Sequence, residues 1–168
     1  MNDNDPTEPL FANLDDDDPA LRNAVSAAKR TLPQFVDAFA RKRFPSAGYL
    51  VKVPFQDRDD RGERALVRTP EVAAEFPDLR VCRLWLAVNS ALEDLLFCSV
   101  LESPAKLRLK TGASFVVDMS LVEDWMIHCG EVVYGGFSMQ VIRNRLPEPD
   151  RHRFDQHTGI REFKQLAH

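Results

Sequence analysis

The hydrophobic pattern changes its period part-way along the chain, and this change limits the possible folds more than any other feature. Between Leu21 and Phe39 the apolar residues recur at spacings of three or four, which is typical of one face of an α-helix. From Tyr49 onwards they alternate with other residues, which is typical of β-strands. The pattern predicts an α+β fold, with helices at the ends and an antiparallel sheet of about five strands between them.

The helical stripe contains a proline, Pro33. A proline is tolerated in the first turn of a helix but not in a straight helix interior. The region therefore predicts either one N-terminal helix or a broken helix pair, in which Thr31 caps a second piece over Leu32–Arg43.

Several segments with strand-like alternation follow, and a polar turn over Asn89–Asp94 joins two of them. These segments are Tyr49–Phe55, Val81–Val88, Leu95–Leu101, Ser114–Met119, Asp124–Cys129 and Val132–Tyr134. Residues 56–80 form a charged insertion with a short helical pattern at Pro70–Phe76, and the pattern leaves the rest of its conformation open.

The C-terminal part is expected to be helical. Residues 137–146 fit a strand or a helix, and we favour a helix because two glycines followed by Ser138 resemble a helix entry. A last helix is predicted from Pro147 to about His157, with Thr158-Gly159 as its stop.

The charge is unevenly distributed. Residues 1–18 carry seven acidic and no basic residues, whereas residues 19–168 carry 22 basic and 19 acidic residues, a net charge of +3. We therefore expect an acidic disordered tail over 1–18 and a single domain over 19–168. The mild positive charge is interleaved with acids, which makes nucleic-acid binding an unfavoured function.

The sequence favours a cytoplasmic location. The N-terminal residues lack the basic and apolar regions of a signal peptide, and no apolar run is long enough to span a membrane. Three cysteines without close pairs predict reduced thiols rather than a disulfide framework. A protein partner is compatible with this composition, and the oligomeric state is not predicted.

Four sequence words occur in an order that resembles a known family. They are AAKRTLPQFVDAF (Ala27–Phe39), YLVKVPF (Tyr49–Phe55), RLWLAV (Arg83–Val88) and VEDWMIHCGEVVYGGFSMQVIR (Val122–Arg143). Together they resemble the YegJ-like bacterial family, a domain of unknown function (number 2314). The resemblance covers about Ala27–Leu146, and it implies a bacterial origin without implying catalytic residues.

The segment Val122–Ser138 holds the densest set of chemically active side chains. A cysteine hydrolase is unfavoured there, because His128 and Cys129 are neighbours on a strand and point to opposite faces. No metal and no cofactor are predicted, since His152 and His157 lack a metal-binding spacing. The candidate binding or motif residues are Trp85, Asp124, Trp125, His128, Tyr134, Gly135, Gly136 and Ser138.

Two of these features have alternative interpretations. Gly135-Gly136 fits either a phosphate-binding turn or, as we favour, backbone positions with positive φ. Trp85 should face away from the core side of its strand, where it would lie under a terminal helix or act as an exposed interface anchor.

We expect a non-enzymatic binding or accessory module, whose partner contacts either the sheet face of Trp85 or the segment Trp125–Ser138. The alternative is a small enzyme or ligand-binding domain that uses Asp124, His128 and Tyr134 beside the glycine turn.

Overall fold

The computed structural model describes residues 17–58, 64–102 and 107–167. Its helices are α1 (Pro19–Ala40), α2 (Pro70–Glu75), α3 (Phe137–Arg145) and α4 (Glu148–Thr158). Its strands are β1 (Gly48–Gln56), β2 (Leu66–Val67), β3 (Val81–Leu92), β4 (Leu95–Val100), β5 (Ser114–Asp118), β6 (Asp124–Cys129), β7 (Val132–Gly135) and β8 (Glu162–Lys164).

The strands form one sheet, and the fold class is α+β as predicted. The order is β5-β4-β3-β1-β6-β7-β8, and β2 pairs with the end of β1. The prediction of about five antiparallel strands was wrong in two respects: the sheet has eight strands, and β8 runs parallel to β7. The short strands β2 and β8 have two and three residues, too few to show a period of two.

The N-terminal helix is continuous through Pro33. Proline removes one helical hydrogen bond, because it has no N–H to donate. The Thr31 hydroxyl does not cap a second helix but donates to the carbonyls of Ala27 and Ala28. The helix is capped at Asp18, a residue assigned to the tail by its charge, whose side chain accepts from the Ala20 N–H.

Strand β3 is longer than predicted. The expected turn over Asn89–Asp94 is reduced to Glu93 and Asp94, because β3 continues to Leu92 past an irregular register between Val88 and Ser90. Such a β-bulge shifts the phase of the alternation, and this shift obscured the end of the strand.

The C-terminal helices agree with the prediction. Residues 137–145 are helical, and α4 ends at Gly159, which adopts a left-handed conformation. The charged insertion contains β2 and α2, and its residues 59–63 lie outside the described part of the chain, as do residues 1–16 of the predicted tail.

Helices cover the two faces of the sheet unequally. Helix α1 packs on one face over the main core, which includes Phe35, Val51 and Trp125. Helices α3 and α4 pack on the opposite face through a second cluster, which includes Met126, Met139 and Phe154. Alternation along β6 places Trp125 and Met126 on opposite faces, as this arrangement requires.

Candidate functional site

The carboxylate of Asp124 is the centre of the predicted segment, and it caps helix α3 from a neighbouring strand. It accepts hydrogen bonds from the N–H groups of Trp125 (2.8 Å), Phe137 (3.1 Å) and Ser138 (2.8 Å). The Ser138 hydroxyl donates a further bond of 2.5 Å. Asp124 is 1% exposed, so these four donors replace the water that a carboxylate normally binds.

The glycine turn brings α3 to Asp124. Gly135 and Gly136 have φ angles of 77° and 65°, which favour glycine. A Cβ on Gly135 would lie 2.5 Å from the Trp125 carbonyl oxygen and 2.7 Å from its ring. The expected positive φ is therefore confirmed, and close packing adds a second reason for glycine. The first N–H groups of α3 already donate to Asp124, so they are not available to bind a phosphate.

Trp125 joins two of the sequence words that carry the family resemblance. Its indole N–H donates to the Ala28 carbonyl and the Thr31 hydroxyl of α1, each at 3.1 Å. Its ring lies 5.4 Å from the Phe35 ring and 5.6 Å from the Phe137 ring, measured between centroids. The side chain is 1% exposed, so its role in the described structure is to hold α1 and α3 on the sheet.

Lys52 completes the polar cluster, and the sequence analysis did not single it out. Its ammonium group donates to the Ser138 hydroxyl at 2.7 Å and lies 5.8 Å from the centroid of the Trp85 ring. Burial lowers the pKa of Lys52, and burial likewise raises the pKa of Asp124. The one available signal was a lysine within the apolar strand word YLVKVPF.

A lysine bonded to a serine can activate the serine as a nucleophile. Here the Ser138 hydroxyl is 2% exposed and donates its proton to Asp124. Because Ser138 is buried and bonded to Asp124, a substrate cannot reach its hydroxyl. This geometry favours a structural role for the cluster of Lys52, Asp124 and Ser138.

The structure does not bring the residues of the alternative site together. His128 lies on the Asp124 face, but four residues further along β6, a separation of about 13 Å along a strand. Tyr134 lies on the opposite face, where its ring packs 4.8 Å from the Phe44 ring. Burial raises the pKa of Cys98 to about 12 and also raises the pKa of Cys129, which disfavours a thiolate nucleophile.

Trp85 lies on the predicted side of β3. It is half-buried and packs against the second cluster, beneath the C-terminal helices. The neighbouring part of this face carries an apolar surface that the sequence analysis did not identify. We call it the open patch; it comprises Leu92 (62% exposed), Leu95 (37%), Phe97 (36%) and Val116 (55%).

Register places the open patch on one face. Leu92 pairs with Leu95, and Phe97 pairs with Val116, so both pairs point to the same side of the sheet. Leu96 between them is fully buried in the main core on the opposite face. The open patch therefore lies on the face of Trp85, beyond the half that α3 and α4 cover.

Other potential ligand sites lie apart from these residues. In residues 17–58, 64–102 and 107–167, no group of three or more His, Cys, Asp or Glu side chains could hold a metal ion. An open groove of about 780 Å³ lies between α1 and the turn Met119–Leu121, on the side of the sheet away from the open patch.

Comparison with known proteins identifies the family. The model of a family described as "uncharacterized protein conserved in bacteria (DUF2314)" matches residues 18–163. The chain belongs to the DUF2314 family. The match confirms the domain of unknown function inferred from the four sequence words and extends beyond Ala27–Leu146 at both ends, whereas the YegJ-like name remains a prediction.

One curated relative of this DUF2314 chain comes from Neisseria meningitidis serogroup B and bears the name "Putative ankyrin repeat protein". The two are 27% identical over 149 residues, which cover 85% of the present chain and 52% of the relative. The chain thus spans about half the length of that relative. No solved structure matches the chain. Among the described residues, no helix is both long and apolar enough to cross a membrane.

Proposed function

We propose that this DUF2314 domain is a non-enzymatic binding module that recognises a protein partner through the open patch. The main support for this proposal is that four apolar side chains are exposed together on one sheet face: Leu92, Leu95, Phe97 and Val116. Contiguous exposed apolar side chains are typical of protein interaction sites. Trp85 lies on the same sheet face but further along β3, where it packs against the second cluster.

The buried polar cluster supports this proposal over an enzyme. Asp124 and Ser138 satisfy each other and the start of α3, and both are buried. The expected contact through Trp125–Ser138 receives less support, because Asp124, Trp125 and Ser138 are all buried. The sheet face of Trp85 is the better-supported location.

The curated relative and the charge distribution also favour protein binding over nucleic-acid binding. Ankyrin repeats stack into extended binding surfaces, so the relative's name is compatible with a role in protein interaction. Nucleic acid is unfavoured, because several arginines of the C-terminal region pair with acids, including Arg143 with Asp155 and Arg161 with Glu131. We place the module in the bacterial cytoplasm, since its three cysteines are free thiols.

The proposal is tested by affinity capture from a bacterial lysate, with quantification of every captured protein. Phe97→Glu should reduce capture of the specific partner at least tenfold, because it buries a charge at the centre of the interface. Gln156→Glu is the matched control, since it adds the same charge at an exposed position on α4. Equal capture by the wild type and both folded variants would refute the proposal.

A further inference from the structure

We infer that this chain forms a symmetric homodimer in which β5 pairs antiparallel with β5 of a second copy. The inference concerns the backbone edge of β5, whereas the proposed function concerns side chains on one face of the sheet. The two proposals share the side chains of Phe97 and Val116, but the pairing of β5 rests on backbone groups and can fail or hold without the proposed partner.

Two hydrogen bonds define which backbone groups of β5 are already used. The Met119 N–H donates to the Asp94 carbonyl (2.8 Å), and the Val100 N–H donates to the Ala113 carbonyl (2.9 Å). Hydrogen-bonded pairs recur at every second residue of an antiparallel ladder. The intervening backbone N–H and carbonyl groups consequently point away from β4, at Ser114, Val116 and Asp118.

This edge has one of the features that usually prevent strand pairing, the charge of Asp118 at its end, and lacks the others. In the part of the chain that the structure describes, β5 pairs with β4 alone. Its five residues include no lysine, proline or glycine, and its register with β4 is regular. The opposite edge strand, β8, is shorter and carries Glu162 and Lys164, which protect an edge by their charge.

The three outward-directed residues match a two-fold axis at Val116. Antiparallel pairing about this residue places Val116 opposite Val116 of the second copy, and Ser114 opposite Asp118 of the second copy. Each of these pairs can exchange two backbone hydrogen bonds. The Ser114 hydroxyl can then donate a hydrogen bond to the Asp118 carboxylate of the second copy. The two Asp118 carboxylates lie at opposite ends of the interface.

The side chains also match across this axis. Phe97 pairs with Val116 within one copy, so the dimer contains a continuous apolar row of two phenylalanines flanking two valines. Neighbouring strands lie about 4.8 Å apart, which brings the two Val116 side chains into contact. Val116 is 55% exposed in the single chain, and pairing would remove part of this apolar area from water.

A five-residue edge buries little surface, so we expect a weak, concentration-dependent dimer rather than an obligate one. Sedimentation velocity of the full chain from low micromolar to near-millimolar concentration should show a reversible monomer–dimer equilibrium. A wild-type chain that stays monomeric throughout this range would overturn the inference.

Two substitutions at one position test the geometry. Val116→Pro removes the outward N–H without removing a bond to β4, and it should weaken dimerisation at least tenfold. Val116→Thr keeps both the N–H and the β-branched shape, and it should dimerise within about threefold of the wild type. Equal dimerisation of the folded proline variant and the wild type would contradict pairing through β5.

Amide hydrogen exchange provides a measurement that needs no variant. Raising the concentration of the wild type should slow exchange at Ser114, Val116 and Asp118 and leave the edge strand β8 unchanged. Dimerisation without slower exchange at these three amides would show that the copies meet elsewhere, which would overturn the inference.

Discussion

At the scale of single residues, the segment around Asp124 combines the capping of a helix with a left-handed glycine turn that directs this helix. Its carboxylate satisfies the first N–H groups of α3, and the left-handed backbone of Gly135 and Gly136 directs that helix start towards it. Gly135 also makes room for the Trp125 ring. These residues therefore determine how the C-terminal helices are placed on the sheet.

The close approach of Gly135 to Trp125 predicts a large effect of Gly135→Ala on stability. The added Cβ would meet the Trp125 backbone at 2.5 Å, so the substitution should lower the free energy of unfolding by about 3 kcal/mol or more. Gly112→Ala is the matched control, because Gly112 also has a positive φ but nothing lies within 4 Å of its Cβ position. It should cost only about 1 kcal/mol.

Urea unfolding of both glycine variants measures the difference. Equal destabilisation of the two variants would show that backbone conformation alone explains Gly135.

Residue patterns anticipated part of this segment. The sequence placed Asp124, Trp125 and the two glycines in one candidate segment and predicted the positive φ of the glycines, since turn chemistry is a local property. It could not indicate Lys52, because the contact with Ser138 joins residues that are 86 positions apart. Nor could it exclude a role for Tyr134 beside Asp124 without knowing the register of β6 and β7.

At the scale of elements, the long and regular segments were predictable, whereas the short and irregular ones were not. Helix α1 and strand β1 have many residues with a clear period. The bulge in β3 shifts the alternation, and β2 and β8 are too short to display one. These short strands depend on tertiary pairing, which no local pattern encodes.

An ion pair links the start of α1 to the end of α3 and gives a pH-dependent contact between elements. Arg145 donates to both carboxylate oxygens of Asp18, one of these bonds having a length of 2.7 Å. The bond from Arg145 is the main cause that lowers the pKa of Asp18 to about 2. A carboxylate with a lowered pKa in the folded state stabilises the fold above its ordinary pKa, and that contribution is lost as the pH falls towards 2.

Asp18→Asn should therefore reduce stability near neutral pH while retaining helix capping, because asparagine caps as well as aspartate. The difference in unfolding free energy between wild type and variant should shrink as the pH falls from about 4 to about 2, and it should also shrink at high salt. Urea unfolding at a series of pH values measures it. A difference that does not depend on pH would contradict the ion pair.

At the scale of the whole molecule, unequal coverage of the sheet is the property on which the proposed function rests. One face is buried by α1 together with loop residues that include Leu107, Leu109 and Val122, whereas α3 and α4 cover the half of the other face that contains β6. The open patch is the remainder of that face. The sequence could not predict it, because alternation shows that a strand has two sides but not how far a distant helix extends over one of them.

Site-specific photocrosslinking in living cells determines whether the open patch binds a different protein. A photoreactive phenylalanine analogue replaces Phe97 in one variant and the exposed Gln156 in the control. We predict a discrete adduct with a different protein from position 97 and not from position 156, in addition to any adduct between two copies that β5 pairing produces, and loss of the first adduct when Leu92→Lys is added. The proposed function is contradicted if position 97 gives no more adduct than position 156, or only adducts between two copies of the chain.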